Sequence, residues 1–135
     1  RGPLLSLADQ TRRQNQIPAP SPEAFADIPE ITMNPLNPDG DANCWLSGMR
    51  IAQGCGVTPD MVMDALEKEN IESRPIWKPM HLQPVFAECG FYSVREKGSL
   101  AEDVFNSGLC LPSDIKNTAE DMDKIIGIVK GLFGK

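Results

Sequence analysis

The sequence predicts a small α+β domain, in which short strands are interleaved with helices. Two runs have the character of buried strands: residues 43–51, with Trp45, Met49 and Ile51 on one face, and the short apolar run 109–111. The clearest element is a helix near the C-terminal end, whose apolar residues recur at helical spacing: Met122, Ile125, Ile126, Val129, Leu132 and Phe133. Because such a stripe must be buried against another element, the strands and helices are expected to share one core.

Three helix starts are marked by hydroxyl residues in N-cap positions, since each hydroxyl can accept a hydrogen bond from the first turn. These starts are Thr58 before Pro59, Ser99 three residues before Glu102, and Thr118 three residues before Asp121. The first helix should run to about residue 69, behind a break at Gly54 and Gly56. Gly108 should end the second helix, and a further short helix is predicted over residues 79–88.

The N-terminal quarter of the chain differs in composition from the rest. Residues 4–16 can form a helix, and prolines at positions 18, 20 and 22 interrupt it. A short strand is expected at 31–33, followed by a turn at 37–40. We therefore expect a leading helix and proline-rich connector over residues 1–30 and one domain over residues 31–135.

The charge balance and the lack of long apolar runs argue against several classes of partner. The 135 residues carry 13 basic and 19 acidic side chains, for a net charge of −6, whereas a protein that binds nucleic-acid backbones needs a basic face. No apolar run approaches the roughly 20 residues of a membrane span. The start of the chain lacks the pattern of a signal peptide. We expect a cytoplasmic protein that binds neither nucleic acid nor membrane.

The four cysteines stand at positions 44, 55, 89 and 110, without a C-x-x-C pair and with a single histidine in the chain. That spacing makes a zinc site a poor interpretation. Four cysteines would suffice for two disulfides in a secreted protein. In the expected cytoplasmic setting, reduced thiols are the better interpretation, with Cys44 and Cys110 as small buried apolar residues.

The most informative run covers residues 74–84 and reads RPIWKPMHLQP. It holds the single histidine, His81, one of two tryptophans, Trp77, and three prolines. Prolines fix their own φ angles and push the preceding residues toward extended conformations, so the run should be a stiff segment without helix or strand. Such a segment can direct several polar groups toward one point. The alternative is an ordinary proline-rich surface loop.

This run, with Phe86 behind it, resembles a segment near the C-terminus of the DegT/DnrJ/EryC1/StrS family of sugar aminotransferases. The resemblance continues in order along the chain, at residues 1–7 (RGPLLSL), 43–46 (NCWL) and 108–113 (GLCLPS). It implies the small C-terminal domain of the type I aminotransferase fold, with short, mostly antiparallel strands packed with helices. The prolines at 18, 20 and 22 depart from the family pattern, in which the leading helix is longer.

The resemblance also implies a chemistry. Similar enzymes use pyridoxal phosphate to move an amino group, typically from glutamate, onto a nucleotide-linked keto sugar in polysaccharide or glycan biosynthesis, and they act as homodimers. In the family, the lysine that forms the Schiff base and most cofactor contacts lie in a large N-terminal domain. We therefore expect this chain to lack that domain and to be inactive alone. A non-catalytic regulatory or interaction module derived from the same domain is the alternative.

The resemblance implies four substrate-binding residues within the run. His81 would hydrogen-bond a sugar hydroxyl or diphosphate oxygen, and Trp77 would stack on a ring. Lys78 and Arg74 would neutralise phosphate charge. Three of them have a plainer alternative: a structural imidazole for His81, core packing for Trp77, and a solvent-facing charge for Lys78.

No other constellation indicates a competing site. The acidic residues between positions 114 and 123 open a helix, where negative charge favours the helix dipole. Gly54 and Gly56 are expected to form a turn, because no lysine or further glycine completes a phosphate-binding loop. The residue types of a Ser/His/Asp hydrolase are present in the chain, but the sequence contains no nucleophile-elbow motif.

Overall fold

A four-stranded antiparallel sheet organises the part of the chain that the structure, a computed structural model, describes: residues 22–35, 39, 46–96, 98–114 and 116–135. Its strands are β1 (Ile31–Met33), β2 (Ser47–Ile51), β3 (Arg74–Pro75) and β4 (Gly108–Leu111), in the order β1-β2-β4-β3. The predicted α+β fold with antiparallel strands is thus confirmed. The predicted helix at 4–16, residues 43–45 of the predicted strand and most of the turn at 37–40 lie outside the described residues.

Three α-helices of the described residues match the predicted ones: α1 (Pro59–Lys68), α2 (Leu100–Ser107) and α3 (Ala119–Leu132). The predicted break before α1 is a turn in which Gly54 and Gly56 have positive φ angles of 82° and 92°. The helix predicted over 79–88 is instead two short 3-10 turns, Met80–Leu82 and Pro84–Phe86. Pro84 starts the second turn because it cannot donate a hydrogen bond to the first.

All three predicted N-caps are present. Thr58 Oγ1 accepts a hydrogen bond from Met61 N at 3.3 Å, and Ser99 Oγ accepts one from Glu102 N at 3.1 Å. Thr118 and Asp121 form the full reciprocal capping box. For α2 the structure describes only the first half of that box, and the Glu102 carboxylate lies against His81 instead.

The core lies between one face of the sheet and the pair α1 and α3. Leu109 and Leu111 of β4 face this core, whereas the alternate positions Gly108 and Cys110 face the other side, toward α2. The 3-10 turn Pro22–Phe25 contributes to the same core, which is formed by the buried apolar residues Phe25, Ile28, Ile31, Met33, Met49, Ile51, Val57, Val62, Leu66, Leu109, Leu111, Met122, Ile125 and Val129. The sequence predicts that the domain begins at residue 31. Residues of the core begin earlier, at Phe25.

Helix α2 passes directly into β4 without a loop, and Gly108 is the junction. A Cβ atom at this position would lie 2.7 Å from Val104 O and 2.7 Å from Ile76 Cγ1. Gly108 has an ordinary φ of −121°, so glycine is required here for space and not for backbone freedom. This close approach seats the segment after β3 on the end of α2.

Strand β3 is the one described strand that the sequence did not predict. Arg74 and Pro75 pair with Cys110 and Leu109 of β4 and form an edge of the sheet. Proline is tolerated at an edge because an outward-facing position needs no backbone donor. A two-residue strand has no alternation to detect, so its proline content alone predicted an unpaired segment.

We expect Gly108→Ala to lower the free energy of unfolding by about 1–3 kcal/mol, because the methyl group overpacks the junction. Urea denaturation followed by circular dichroism would measure the loss. Gly127→Ala is the matched control, since a Cβ there meets nothing within 4 Å and Gly127 lies inside α3. That control should stabilise the domain by about 1 kcal/mol. Equal effects of both substitutions would contradict the steric account.

Surface carboxylates tie α3 to its neighbours. Lys130 Nζ lies 2.8 Å from Asp27 Oδ1, and Lys124 Nζ lies 2.8 Å from Glu69 Oε2. The hydrogen bond from each lysine lowers the pKa of its carboxyl partner, and the backbone N–H and hydroxyl of Thr118 lower the pKa of Asp121. Because all three groups are solvent-exposed, solvent screens these interactions.

The free energy of unfolding should therefore decrease as the pH is lowered through the acid range. Carboxyls with lowered pKa stabilise the fold fully above their ordinary values of 3.8 for Asp and 4.5 for Glu, and this contribution is lost as the pH falls through the lower folded-state values. The urea concentration at the midpoint of denaturation should fall as the pH is lowered from 5 toward 2. The double variant Asp27→Asn, Glu69→Gln should flatten this slope. A variant that retains the full slope would contradict the assignment.

Candidate functional site

Three of the four predicted site residues, Arg74, Trp77 and Lys78, line one groove. The groove has a volume of about 520 Å³, within the range of small-molecule sites in proteins. Its remaining lining is mainly apolar and comes from Leu46, Pro75, Ile76, Phe105 and Cys110. Two cationic side chains and one aromatic ring thus border an otherwise apolar surface.

The groove lies where β3, β4 and α2 meet. Pairing with β4 sets Arg74 opposite Cys110, and Phe105 reaches the groove from α2. Ile76 packs over Gly108 and leads directly into Trp77. Strands β3 and β4 and helix α2 therefore frame the groove. Trp77 and Lys78 themselves belong to neither helix nor strand.

Trp77 is 65% exposed, so it does not pack in the core of the described residues. An exposed indole offers a flat apolar face on which a ring can stack. Lys78 is also exposed, and its backbone carbonyl accepts a hydrogen bond from Gln83 Nε2 at 3.2 Å. The plainer alternative for Trp77 thus finds no support, while a solvent-facing Lys78 remains compatible with the groove.

Arg74 is held by a local ion pair. Its Nε donates to Glu72 Oε1 at 2.7 Å, and both side chains are largely exposed. Exposed pairs of this kind are weak, typically about 0–1 kcal/mol. An anionic ligand can therefore compete with Glu72 for the guanidinium, which forms bidentate hydrogen bonds with phosphate oxygens.

His81 does not line this groove. It lies in a smaller cavity of about 240 Å³ that is bordered by Met80, Phe86, Cys89 and Phe91. Its ring stacks on Phe91 with centroids 3.7 Å apart and an interplanar angle of 16°. The structure thus separates His81 from the three residues with which the sequence grouped it.

The inward nitrogen of His81 faces an acid. Nε2 lies 3.4 Å from Glu102 Oε1, and the two side chains are 17% and 25% exposed. This distance exceeds that of a good hydrogen bond, and Nε2 is buried without a well-formed hydrogen-bond partner. A buried donor or acceptor seeks a partner, and Glu102 is the described one. A ligand could reach only Nδ1, so direct substrate binding by His81 stays a prediction.

Sequence reasoning missed Glu102 and Phe91 as neighbours of His81. Glu102 was identified only as a capping residue of α2, and Phe91 had no assigned role. Both lie at least ten residues from His81 in the sequence, and no local pattern indicates the contact. Tertiary folding alone brings them together.

The cysteines and acids of the described residues indicate no metal centre. Cys55, Cys89 and Cys110 are free thiols, and burial raises the pKa of Cys110. Among the described residues no three His, Cys, Asp or Glu side chains cluster as metal ligands would. None of the helices in this part of the chain is long and apolar enough to cross a bilayer.

Exposed apolar side chains are frequent between residues 77 and 100. We call this set the apolar surface, and it consists of Trp77, Met80, Val85, Phe91, Tyr92, Val94 and Leu100. Tyr92 and Val94 are almost completely exposed, at 95% and 107%. Exposed large apolar side chains that lie together commonly mark an interface with another protein surface.

None of the six lysines of the described residues is buried. Lys124 and Lys130 are held in ion pairs with acids, and Lys78 lies at the groove rim. The others, Lys68, Lys116 and Lys135, are exposed. A lysine that forms a Schiff base is typically desolvated within a pocket, and none of these six is buried.

Comparison with known proteins agrees with this architecture. In the solved structure of a DegT DnrJ EryC1 StrS aminotransferase from Brucella abortus, one third of the chain superposes on this one. The TM-score is 0.76 at 26% identity, over 98% of this chain and 33% of that chain. The fold described above therefore recurs as one part of a larger protein.

Curated relatives point to the same group. EpsN of Bacillus subtilis, named as a pyridoxal phosphate-dependent aminotransferase, is 32% identical over 96% of this chain and 33% of its own length. GDP-perosamine synthase of Caulobacter vibrioides is 33% identical over 61% of this chain and 21% of its own length. The chain thus spans about one third of the length of the first of these relatives. The DegT/DnrJ/EryC1/StrS aminotransferase family model matches residues 3–130, and the chain belongs to that family.

Proposed function

We propose that this chain is the C-terminal part of a pyridoxal phosphate-dependent aminotransferase that transfers an amino group to a nucleotide-linked keto sugar. The groove bordered by Arg74, Trp77 and Lys78 carries this proposal, because its chemistry suits a nucleotide sugar. Family membership and a relative named as a GDP-perosamine synthase support the same substrate class. Glutamate is the proposed amino donor, and a homodimer in the cytoplasm the proposed assembly.

Each groove residue has a distinct role in this proposal. Trp77 stacks on the base or the sugar ring through its exposed face. Lys78 and Arg74 pair with the diphosphate, which carries the negative charge of such a substrate. The apolar lining of the groove can bury part of the ring that stacks on Trp77. The two cations lie beside this lining although the whole chain carries a net charge of −6.

Pyridoxal phosphate supplies the electron sink of a transamination once it is held by a Schiff-base lysine. The six described lysines do not fit that position, because each is exposed or held in a surface ion pair. We therefore propose that the Schiff-base lysine and most cofactor contacts belong to the rest of a longer polypeptide, about three times this length by comparison with EpsN. The described residues supply substrate contacts and no cofactor chemistry.

Intact-mass measurement of the native protein in its source cells tests whether a longer polypeptide exists. This chain has a mass of 14.8 kDa. A native mass near three times larger supports the aminotransferase. A native mass equal to that of this chain contradicts it and favours the non-catalytic interaction module, for which the apolar surface would be the binding face.

In the longer polypeptide, we expect Lys78→Ala and Trp77→Ala to raise the Michaelis constant for the nucleotide sugar at least tenfold. Loss of a hydrogen bond to a charged group costs about 1.5–3 kcal/mol, and each 1.4 kcal/mol changes affinity about tenfold. His81→Ala should raise the same constant or lower turnover. Steady-state amination of a nucleotide-linked keto sugar, with product detection by mass spectrometry, would measure these effects.

Lys124→Ala is the matched control for these variants. It removes the same charge from α3, where Lys124 pairs with Glu69 outside the groove, so its kinetic constants should equal those of the unmodified protein. Unchanged Michaelis constants in both groove variants would remove the groove from the substrate site. Unchanged kinetics in His81→Ala would remove His81 alone.

The isolated chain should self-associate at high concentration, because its apolar surface lacks the neighbours proposed for the complete protein. Sedimentation velocity should show a weight-average mass that rises with concentration. The double variant Tyr92→Ser, Val94→Ser should reduce this rise. Met61→Ser, at a 43% exposed apolar position on α1, should leave it unchanged. A monomer at every concentration would contradict the expectation.

A further inference from the structure

The backbone that carries Trp77 and Lys78 is held at two points. Upstream, β3 pairs Arg74 and Pro75 with β4. Downstream, His81 contacts Phe91 and Glu102. The residues between these anchors, 76–80, include both groove side chains. Their direction therefore depends on both ends.

The upstream anchor is short. It comprises two residue pairs at the edge of the sheet, and Pro75 has no N–H to donate to a ladder. Ile76 adds packing against Gly108. A two-residue pairing of this kind restrains one end of the segment, and the residues of the segment beyond Ile76 have no strand partner of their own among the described residues.

The downstream anchor is better built. The His81 ring lies flat against Phe91 at 3.7 Å, and its buried Nε2 faces the Glu102 carboxylate at 3.4 Å. Glu102 itself is fixed at the start of α2, where Ser99 Oγ accepts a hydrogen bond from its backbone N–H. Helix α2 continues without a loop into the central strand β4. The carboxylate thus links His81, through α2, to an inner strand of the sheet.

Between the anchors the segment is stiff enough to transmit this restraint. Pro79 is buried, and Leu82 N donates to Pro79 O at 3.0 Å in the first 3-10 turn. Gln83 Nε2 donates to Lys78 O at 3.2 Å, which closes the turn on the residue that lines the groove. A displacement of His81 would therefore move Lys78 and, one residue further, Trp77.

We propose that Glu102 is a positioning residue, which acts through His81 to set the direction of Trp77 and Lys78 in the groove. Its carboxylate faces the buried imidazole nitrogen at 3.4 Å and so holds the downstream end of the segment against α2. The positioning itself depends only on the contacts above. Its consequence for substrate binding rests on the proposed function of the groove.

The test uses Glu102→Gln in the 135-residue chain, because glutamine keeps the shape of the side chain and removes its charge. Backbone ¹⁵N relaxation at Trp77 and Lys78 reports the restraint directly. In the unmodified chain the order parameters should be near 0.85, the value of rigid backbone, and in the variant they should fall below about 0.6. Amides of β2 and β4 should keep their rigid values, which separates loss of positioning from general destabilisation.

Glu120→Gln is the matched control, since it removes the same charge from the first turn of α3 and should leave the order parameters unchanged. His81→Gln should loosen the segment as much as Glu102→Gln, and the double variant should add little, because coupled residues are non-additive. Rigid Trp77 and Lys78 amides in Glu102→Gln would overturn the proposal. So would a double variant that loosens the segment by the sum of both single effects.

A kinetic readout in the longer polypeptide separates this proposal from the proposed function. If Glu102 positions groove residues that bind substrate, Glu102→Gln should raise the Michaelis constant for the nucleotide sugar several-fold and leave turnover near its original value. A loosened segment with an unchanged Michaelis constant would support the positioning role and contradict the substrate role of the groove. Unchanged order parameters at Trp77 and Lys78 in Glu102→Gln overturn the positioning role, whatever the kinetics show.

Discussion

The close approach at Gly108 is the constraint on which the rest of the structure depends. At this residue α2 becomes the central strand β4, and Ile76 packs where a side chain would otherwise stand. The junction sets three things at once: the pairing of β4 with β2 and β3, the position of α2 against the sheet, and the path of the proline-rich run. The groove forms where β3, α2 and the proline-rich run meet, on the side of β4 opposite the core.

The groove also shows how an acidic chain can present a cationic site. The net charge of −6 is spread over surface acids, several of which are engaged in ion pairs with α3 lysines or with the N-terminal end of that helix. Lys78 and Arg74 are instead placed together beside apolar lining. Since charge interactions are screened within about 10 Å at ordinary salt, the electrostatic potential at the groove depends on this local arrangement more than on the total charge.

His81 belongs to the same proline-rich run as Trp77 and Lys78 but does not line the groove that they border. Its ring faces Phe91 and Glu102, whereas Trp77 and Lys78 face the groove. A short stretch that contains Pro79 separates them. The run therefore has one part that borders the groove and one part that packs against Phe91 and α2, in a region that has little regular structure of its own.

The sequence by itself determined the α+β class, the N-caps of all three described helices, the turn at Gly54 and Gly56, and the family, because each depends on local hydrogen bonding, periodicity or an ordered set of motifs. It also indicated the run that borders the candidate site. Only the tertiary structure decided that Arg74 and Pro75 form an edge strand, that His81 leaves the groove, and that Glu102 meets it. These contacts join residues far apart in the chain, and their geometry depends on how helix, sheet and loop pack together.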